Sequence, residues 1–363
     1  MKKINKKFKK KKLMFFKGIG YGFGIVAKAI AVFFIVFYAC GFAEFNIGFK
    51  EKDLEEEMFS VDETTLEYYY DSNNEYIEYN DEIAVTEMIE CYQSNLDLNE
   101  VPNSVKQYIN KLNNLYTSSG KYFSFVYQDL FSGFTVSYNI DGAIFTASTI
   151  KAPAMIYIYE KASLGEIDLN EKLTYTSKYY HGGTGVIQYK SFNTTYTIEE
   201  LVQYTIYDSD NIAYKMLIDR FGQDNILNFW KDKGTKNIFS SNSIWGNMSA
   251  REAMTYMKEL YNFSRDNVEY GSKLLEHFKK AKFKIISNKD LEFNTANKSG
   301  WSGSVIHDVA IVFDENPYIL AVFSNLGESS YNYLFSESSK LVGNLHEEYW
   351  KYKEELCSNI KMY

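Results

Sequence analysis

The chain has 363 residues, with 39 Lys and Arg against 47 Asp and Glu, a net charge of −8 and an aromatic share of 17%. That length holds one or two domains and buries a large core. Nine lysines and no acid fall in residues 1–17, so the −8 total leaves the rest of the chain at −17; an acidic body with a basic tip argues against nucleic acid as the main partner.

After the basic tip, residues 18–43, "GIGYGFGIVAKAIAVFFIVFYACGFA", are apolar apart from Lys28. The stretch exceeds the roughly 20 residues that span a bilayer. Lysines before it and the acidic segment after it place the N-terminus in the cytoplasm, and the Lys28 stem can snorkel to the interface. A transmembrane signal-anchor is therefore expected, with the body single-pass and extracellular at the cell membrane. A cleaved signal peptide and lipid attachment at Cys40 are the alternatives; the stretch is longer than a usual signal-peptide core and no A-x-A site follows it closely. Residues 44–100, rich in Glu, Asp, Tyr and Asn, read as a stalk. Only Cys91 and Cys357 lie in the exported part, which implies no disulfide framework. Spacing alone leaves open whether they pair.

The body begins with "NSVKQYINKLNNLY", where Val105, Tyr108, Ile109 and Leu112 make one helical face. "YFSFVYQDL" and "GFTVSYNI", joined by "FSG", read as a hairpin. A helix headed by Ser148 and Lys151 follows, then a helical tract through "TIEELVQYTIYDSDNIAYKMLIDRFG" and "SAREAMTYMKELYNFS". "DVAIVFDENPYILAVFSN" is a second hairpin turning at Asn316 and Pro317, and "SSYNYLFSESSKLVGNLHEEYWKYKEEL" closes the chain as an amphipathic helix. The order is that of an α+β domain over residues 101–355, with one antiparallel sheet and a helical part inserted between its strands.

Ser148 and Lys151 share one helical face three positions apart, and a serine hydroxyl becomes a nucleophile when a neighbour removes its proton. Ser118 and Lys121 repeat the spacing, but Gly120 between them makes a turn. Two further segments matter: Ser209-Asp210-Asn211, and Lys298-Ser299-Gly300 followed by Trp301. Each alone is weak, because such residues abound in caps and turns. In the order S-x-x-K, S-D-N, K-S-G, with gaps of 61 and 89 residues, they fit one domain. Here the chain resembles the penicillin-recognising serine enzymes, class A β-lactamases and their DD-peptidase relatives. "GGTGVIQ" followed by "YTIEELVQYTIYDSDN" resembles that family's approach to its S-D-N loop.

The resemblance implies a β-lactamase/DD-peptidase-like fold, a five-stranded antiparallel sheet flanked by helices with an all-helical subdomain inserted. It also implies roles. Ser148 attacks the carbonyl, Lys151 acts as base once burial and Lys298 lower its pKa, and Ser209 relays a proton to the departing nitrogen. Asn211 holds Lys151 and binds the substrate amide, while Lys298 and Ser299 take the substrate carboxylate. Gly300 keeps the strand edge bare, and the backbone N–H groups of Ser148 and Trp301 form an oxyanion hole. Asp210 reads as a structural carboxylate satisfied by loop amides. No metal or cofactor is expected: His181, His277, His307 and His346 are isolated, and H-x-x-x-H, C-x-x-C and G-x-S-x-G are absent.

One departure shapes the functional reading. Class A enzymes carry a loop glutamate in an E-x-x-L-N motif that activates the deacylating water, whereas residues 236–248 here contain no acid. "DNILN", residues 224–228, mimics the motif but sits in a predicted helix and reads as packing. The expected activity is a membrane-anchored extracellular serine hydrolase that forms an acyl-enzyme with β-lactams and releases it slowly. A D-Ala-D-Ala peptidase acting on peptidoglycan is the runner-up, and a receptor module that stays acylated is the third reading. The partners are a small-molecule β-lactam or a D-Ala-D-Ala peptide, and a monomer is expected.

Overall fold

The computed structural model describes residues 69–70, 76–77, 88–236, 243–286, 294–327 and 331–358. The predicted tip, membrane span and most of the stalk lie outside the described residues. Among those described, no helix is long and apolar enough to cross a membrane. Two compact units result, one of residues 93–353 and one of residues 1–92 with 354–363. In the second, Tyr69–Tyr70 pairs antiparallel with Tyr76–Ile77, and Cys91 forms a disulfide with Cys357 across a Cα–Cα distance of 5.7 Å. This resolves the pairing that spacing left open.

In the larger unit, helix α1 (Asn103–Ser118) precedes strands β1 (Phe123–Asp129) and β2 (Thr135–Tyr138). Helices α2 (Lys151–Ser163), α3 (Ile198–Tyr207), α4 (Asn211–Phe221), α5 (Gln223–Asp232), α6 (Ala250–Asp266) and α7 (Tyr270–Lys279) follow. Strands β3 (Asn294–Ser302), β4 (Val305–Phe313) and β5 (Tyr318–Ser324) come next, and α8 (Tyr331–Ser358) ends the described chain. The sheet order is β2-β1-β5-β4-β3, antiparallel throughout. The expected helical insertion therefore lies between β2 and β3. Both hairpins stand where the sequence put them. Strand β3 went unread, because "NTANKSGWS" has few β-branched or aromatic residues.

Helices cover both faces of the sheet, so β1 and β5 are buried at every position rather than alternating. On one face, Val126, Ile319, Ala321 and Phe323 join the core built by the inserted helices. On the other, Phe123 and Phe125 meet the α1 residue Tyr116 at 4.8 and 5.1 Å between ring centroids. The Tyr116 hydroxyl bonds Ser338 of α8 at 3.0 Å, and Tyr349 stacks on Phe134 at 4.3 Å. The end of β1 fixes α8 through a buried carboxylate. Asp129 accepts from the Ser132 amide (2.6 Å), the Phe131 amide (3.1 Å), the Ser132 hydroxyl (2.7 Å) and the Trp350 indole (2.8 Å).

Desolvation pushes the Asp129 pKa up against those donors, which makes the four bonds essential to its burial. Asp129→Asn places an NH₂ group among N–H donors. It is expected to lower the folding free energy by about 2–4 kcal/mol, read as a lower urea midpoint at unchanged slope.

Candidate active site

The nucleophile candidate sits on a 3₁₀ turn, Ala147–Ile150, that runs directly into α2. Ala147 carries a φ of 44° and Ser209 a φ of 50°, a left-handed conformation that costs a non-glycine residue of order 1–3 kcal/mol. Both strained residues thus border the same cluster. Strand β3 presses on this turn: a Cβ on Gly300 would fall 2.7 Å from the Ser148 amide nitrogen and 2.9 Å from the Thr146 carbonyl oxygen. Only glycine allows that approach. It brings the strand that carries Lys298 against the nucleophile turn.

The S-D-N segment is held from both sides by Asp210. One carboxylate oxygen caps α4, accepting from the Ile212 and Ala213 amides at 2.8 and 3.0 Å. The other accepts from the Val186 and Ile187 amides at 2.7 and 2.8 Å. Asp210 is therefore structural, with its carboxylate satisfied by loop amides. The "GGTG" turn supplies the rest of that wall. The Thr184 hydroxyl donates to the Ser209 carbonyl at 2.6 Å, and Gly185, at φ 113°, lies so close to Asp210 that a Cβ would sit 2.3 Å from the carboxylate.

Lys151 is fully buried at the centre. Its Nζ lies 3.1 Å from Ser148 Oγ, 3.2 Å from Ser209 Oγ and 2.7 Å from Asn211 Oδ1, and it also donates to the Ser209 carbonyl. Two of these partners, the carbonyl and the amide oxygen, can only accept. A neutral amine has two N–H donors and one lone pair. With both donors committed, the lone pair is left for a hydroxyl proton, which is the geometry of a base beside a nucleophile. Burial, reinforced by the nearby Lys298 cation, holds the Lys151 pKa well below the usual lysine range.

Lys298 is the second cation. Its Nζ donates to Ser209 Oγ at 3.0 Å and to the Ser299 carbonyl at 2.9 Å, and burial lowers its pKa to about 7. Asp308, on neighbouring β4, opposes that shift electrostatically, and burial raises its own pKa to about 6. The Ser209 hydroxyl thus bridges two amines. Ser299 behaves differently: its hydroxyl donates to the Phe283 carbonyl at 3.0 Å, so its proton is not presented to the cleft. Trp301, half-buried beyond Gly300, sets its ring edge-on to Phe283 at 4.9 Å.

The structure accordingly brings Ser148, Lys151, Ser209, Asn211 and Lys298 into one hydrogen-bonded cluster. Gly300 lies against it and Ser299 is turned aside. "DNILN" falls on α5 with Asp224 exposed and Ile226 buried, which bears out its reading as packing. The described part of the acid-free stretch brings Trp245 instead, whose ring lies 5.5 Å from Lys151 Nζ, with the Tyr214 ring at 5.9 Å. Neither aromatic was singled out from the sequence, where no motif marks them. No group of three His, Cys, Asp or Glu side chains among the described residues is placed to hold a metal ion.

Fold and site together define the class of β-lactamase-like serine enzymes. The chain belongs to the β-lactamase enzyme family, whose model matches residues 105–345. Solved structures of similar proteins share the fold. A β-lactamase from Sphaerobacter thermophilus has a TM-score of 0.57 and 20% identity, covering 71% of this chain and 98% of its own. PBP-A has a TM-score of 0.61 and 21% identity over 70% of this chain and 98% of its own. An acyl-enzyme complex of a PBP-A mutant with penicillin G has a TM-score of 0.57 and 21% identity, over 68% and 97%. No curated protein sequence matches the chain.

Because the Gly185 position leaves no room for a side chain and needs a left-handed φ, Gly185→Ala is expected to destabilise the domain by about 2 kcal/mol or more. Denaturant unfolding checks this. A neutral result would mean that Asp210 and its loop move apart at little cost.

Proposed function

We propose that the protein is an exported, membrane-tethered serine acyl-transfer enzyme that reacts with β-lactams and deacylates slowly. The observation that carries this reading is the Lys151 amine, which reaches the hydroxyls of Ser148 and Ser209 in a segment of fold where residues 236–248 supply no acid. Ser148 Oγ attacks the lactam carbonyl while its proton passes to Lys151. The Ser148 and Trp301 amides receive the oxyanion, and Ser209 hands a proton to the departing nitrogen. Lys298 takes the ligand carboxylate, and Asn211 both fixes Lys151 and meets the substrate amide. Hydrolysis of the acyl-enzyme then needs an activated water, for which residues 236–248 supply no carboxylate.

The acyl-enzyme of the PBP-A mutant with penicillin G, on the same fold, supports penicillin as a ligand class. The basic tip and apolar residues 18–43 support a tether. The Cys91–Cys357 disulfide supports export, since such bonds persist in oxidising compartments. A second reading, a peptidase cleaving D-Ala-D-Ala in the cell wall, is favoured by the same amine. Lys151 and Ser209 together can serve both acylation and release, and a C-terminal carboxylate suits Lys298.

A penicillin is expected to label Ser148 alone, and Ser148→Ala to abolish the adduct by intact mass and peptide mapping. Labelling that survives the alanine variant would refute the nucleophile. Loss of a general base slows a step by about 10²–10⁴, so the adduct is expected to persist for minutes after a one-equivalent burst. Turnover at hundreds per second without adduct would instead mark an efficient β-lactamase.

The second-order acylation rate is expected to be bell-shaped in pH. Lys151 must be neutral, so the rate falls on the acid side as that amine gains its proton. Lys298 must be charged to hold a carboxylate, so the rate falls as pH rises through about 7 in the free protein. Lys298→Ala is expected to cost roughly tenfold to a hundredfold in acylation by free-acid penicillins and to remove the alkaline limb. Equal losses for methyl esters and free acids would contradict the carboxylate role.

A further inference from the structure

We propose that Trp245, backed by Tyr214, is a positioning residue that stabilises the Lys151 ammonium formed as Ser148 gives up its proton. The inference rests on the acyl-transfer reading above. In that step the Ser148 O–H bond breaks, its proton moves to Lys151 Nζ and the Oγ–carbonyl bond forms. The lactam C–N bond then breaks, and the nitrogen takes a proton through Ser209, so no outside reagent is needed. Lys151 is therefore a cation in transit, inside a buried cluster and beside a second amine that shares the Ser209 hydroxyl.

Something must solvate that charge. The groups facing Lys151 come from every element around it. Strand β3 brings Lys298, which opposes the charge, and the loop before α4 brings Ser209, Asp210 and Asn211. Asp210 favours the charge from a distance, but its oxygens are held by four backbone amides. From the loop at 181–185, the Thr184 hydroxyl donates to the Ser209 carbonyl at 2.6 Å, while His181 lies 3.5 Å from the Asn211 amide nitrogen and 6.2 Å from the Trp245 ring. Beside the Ser209 and Asn211 oxygens stand, among the described residues, the faces of Trp245 and Tyr214 within 6 Å of Nζ. A desolvated cation over an indole is the strongest such pairing a side chain offers.

The rings are fixed there by bonds to both sides of the site. The Tyr214 hydroxyl donates to the Ile244 carbonyl at 2.7 Å, and the two rings stand 5.5 Å apart. On the nucleophile side, the Thr146 amide and hydroxyl both donate to the Gly246 carbonyl, at 2.9 and 3.1 Å. Trp245 is thus pinned between α4 and the residue two places before Ser148. A neutral π face supports the ammonium without a full negative charge, so it leaves the resting amine free of a counter-ion that would hold it protonated.

The test compares wild type with Trp245→Phe and Trp245→Leu in burst acylation by a chromogenic β-lactam from pH 5 to 9, rates being taken per active site. Trp245→Leu is expected to acylate about 3–30-fold more slowly, with its acid limb moved about half to one and a half pH units lower. The direction follows from the chemistry, since losing the π face disfavours the ammonium and keeps the amine neutral to lower pH. Trp245→Phe, with a weaker face and similar bulk, is expected to fall between, and it decides the matter if the leucine variant does not fold. An unmoved acid limb in a variant with altered burst amplitude only would overturn the proposal, leaving Trp245 as packing. Faster release with unchanged acylation would also overturn it, in favour of water exclusion. A wild type that never labels Ser148 would refute the functional reading itself, an outcome distinct from either.

Discussion

The site depends on keeping one amine buried. A lysine in water holds its proton and is useless as a base near neutral pH, whereas Lys151 is buried completely and faces Lys298 across the Ser209 hydroxyl. The surrounding structure supplies what this costs. Asn211 Oδ1 and the Ser209 carbonyl accept hydrogen bonds from the amine's two N–H groups, Asp210 locks the loop that presents them, and the "GGTG" turn locks Asp210.

The same requirement explains where strain is tolerated. Among the described residues, Asn139, Ala147, Asn193 and Ser209 adopt a left-handed backbone without being glycine. Asparagine visits that region at small cost, but alanine and serine do not. Ala147 aims the Ser148 turn at β3, and Ser209 turns its carbonyl and hydroxyl toward the same amine. Gly300 completes the arrangement, because the strand edge must approach within a distance that no side chain permits. The surrounding packing over-determines these conformations, as it must for strain to persist at a site.

Much of this was legible in the residues, and for a physical reason. Chemistry fixes side-chain type and coarse order, so the three short motifs and the α+β sequence of elements could be read before any geometry. Helix α1 and both hairpins followed from periodicity, and Asp224 from its place in a helical pattern. Strand β3 did not, since it carries the lysine, serine and glycine of the site in place of strand formers. Trp245 and Tyr214 escaped because an aromatic in a loop or helix looks like core until its distance from a charge is known. The Cys91–Cys357 bond joins residues 266 positions apart, a closure that only the folded chain defines.

The hydrogen bond between the Ser299 hydroxyl and the Phe283 carbonyl gives Ser299 two alternative allegiances. On the proposed function, a carboxylate arriving at Lys298 would have to win that proton from a carbonyl already using it. What Ser299 adds to recognition is thus the difference between a charged and a neutral acceptor, smaller than a whole hydrogen bond. Neutral ligands leave the hydroxyl parked. On the proposed function, discrimination for acids would therefore fall mainly on the ammonium of Lys298.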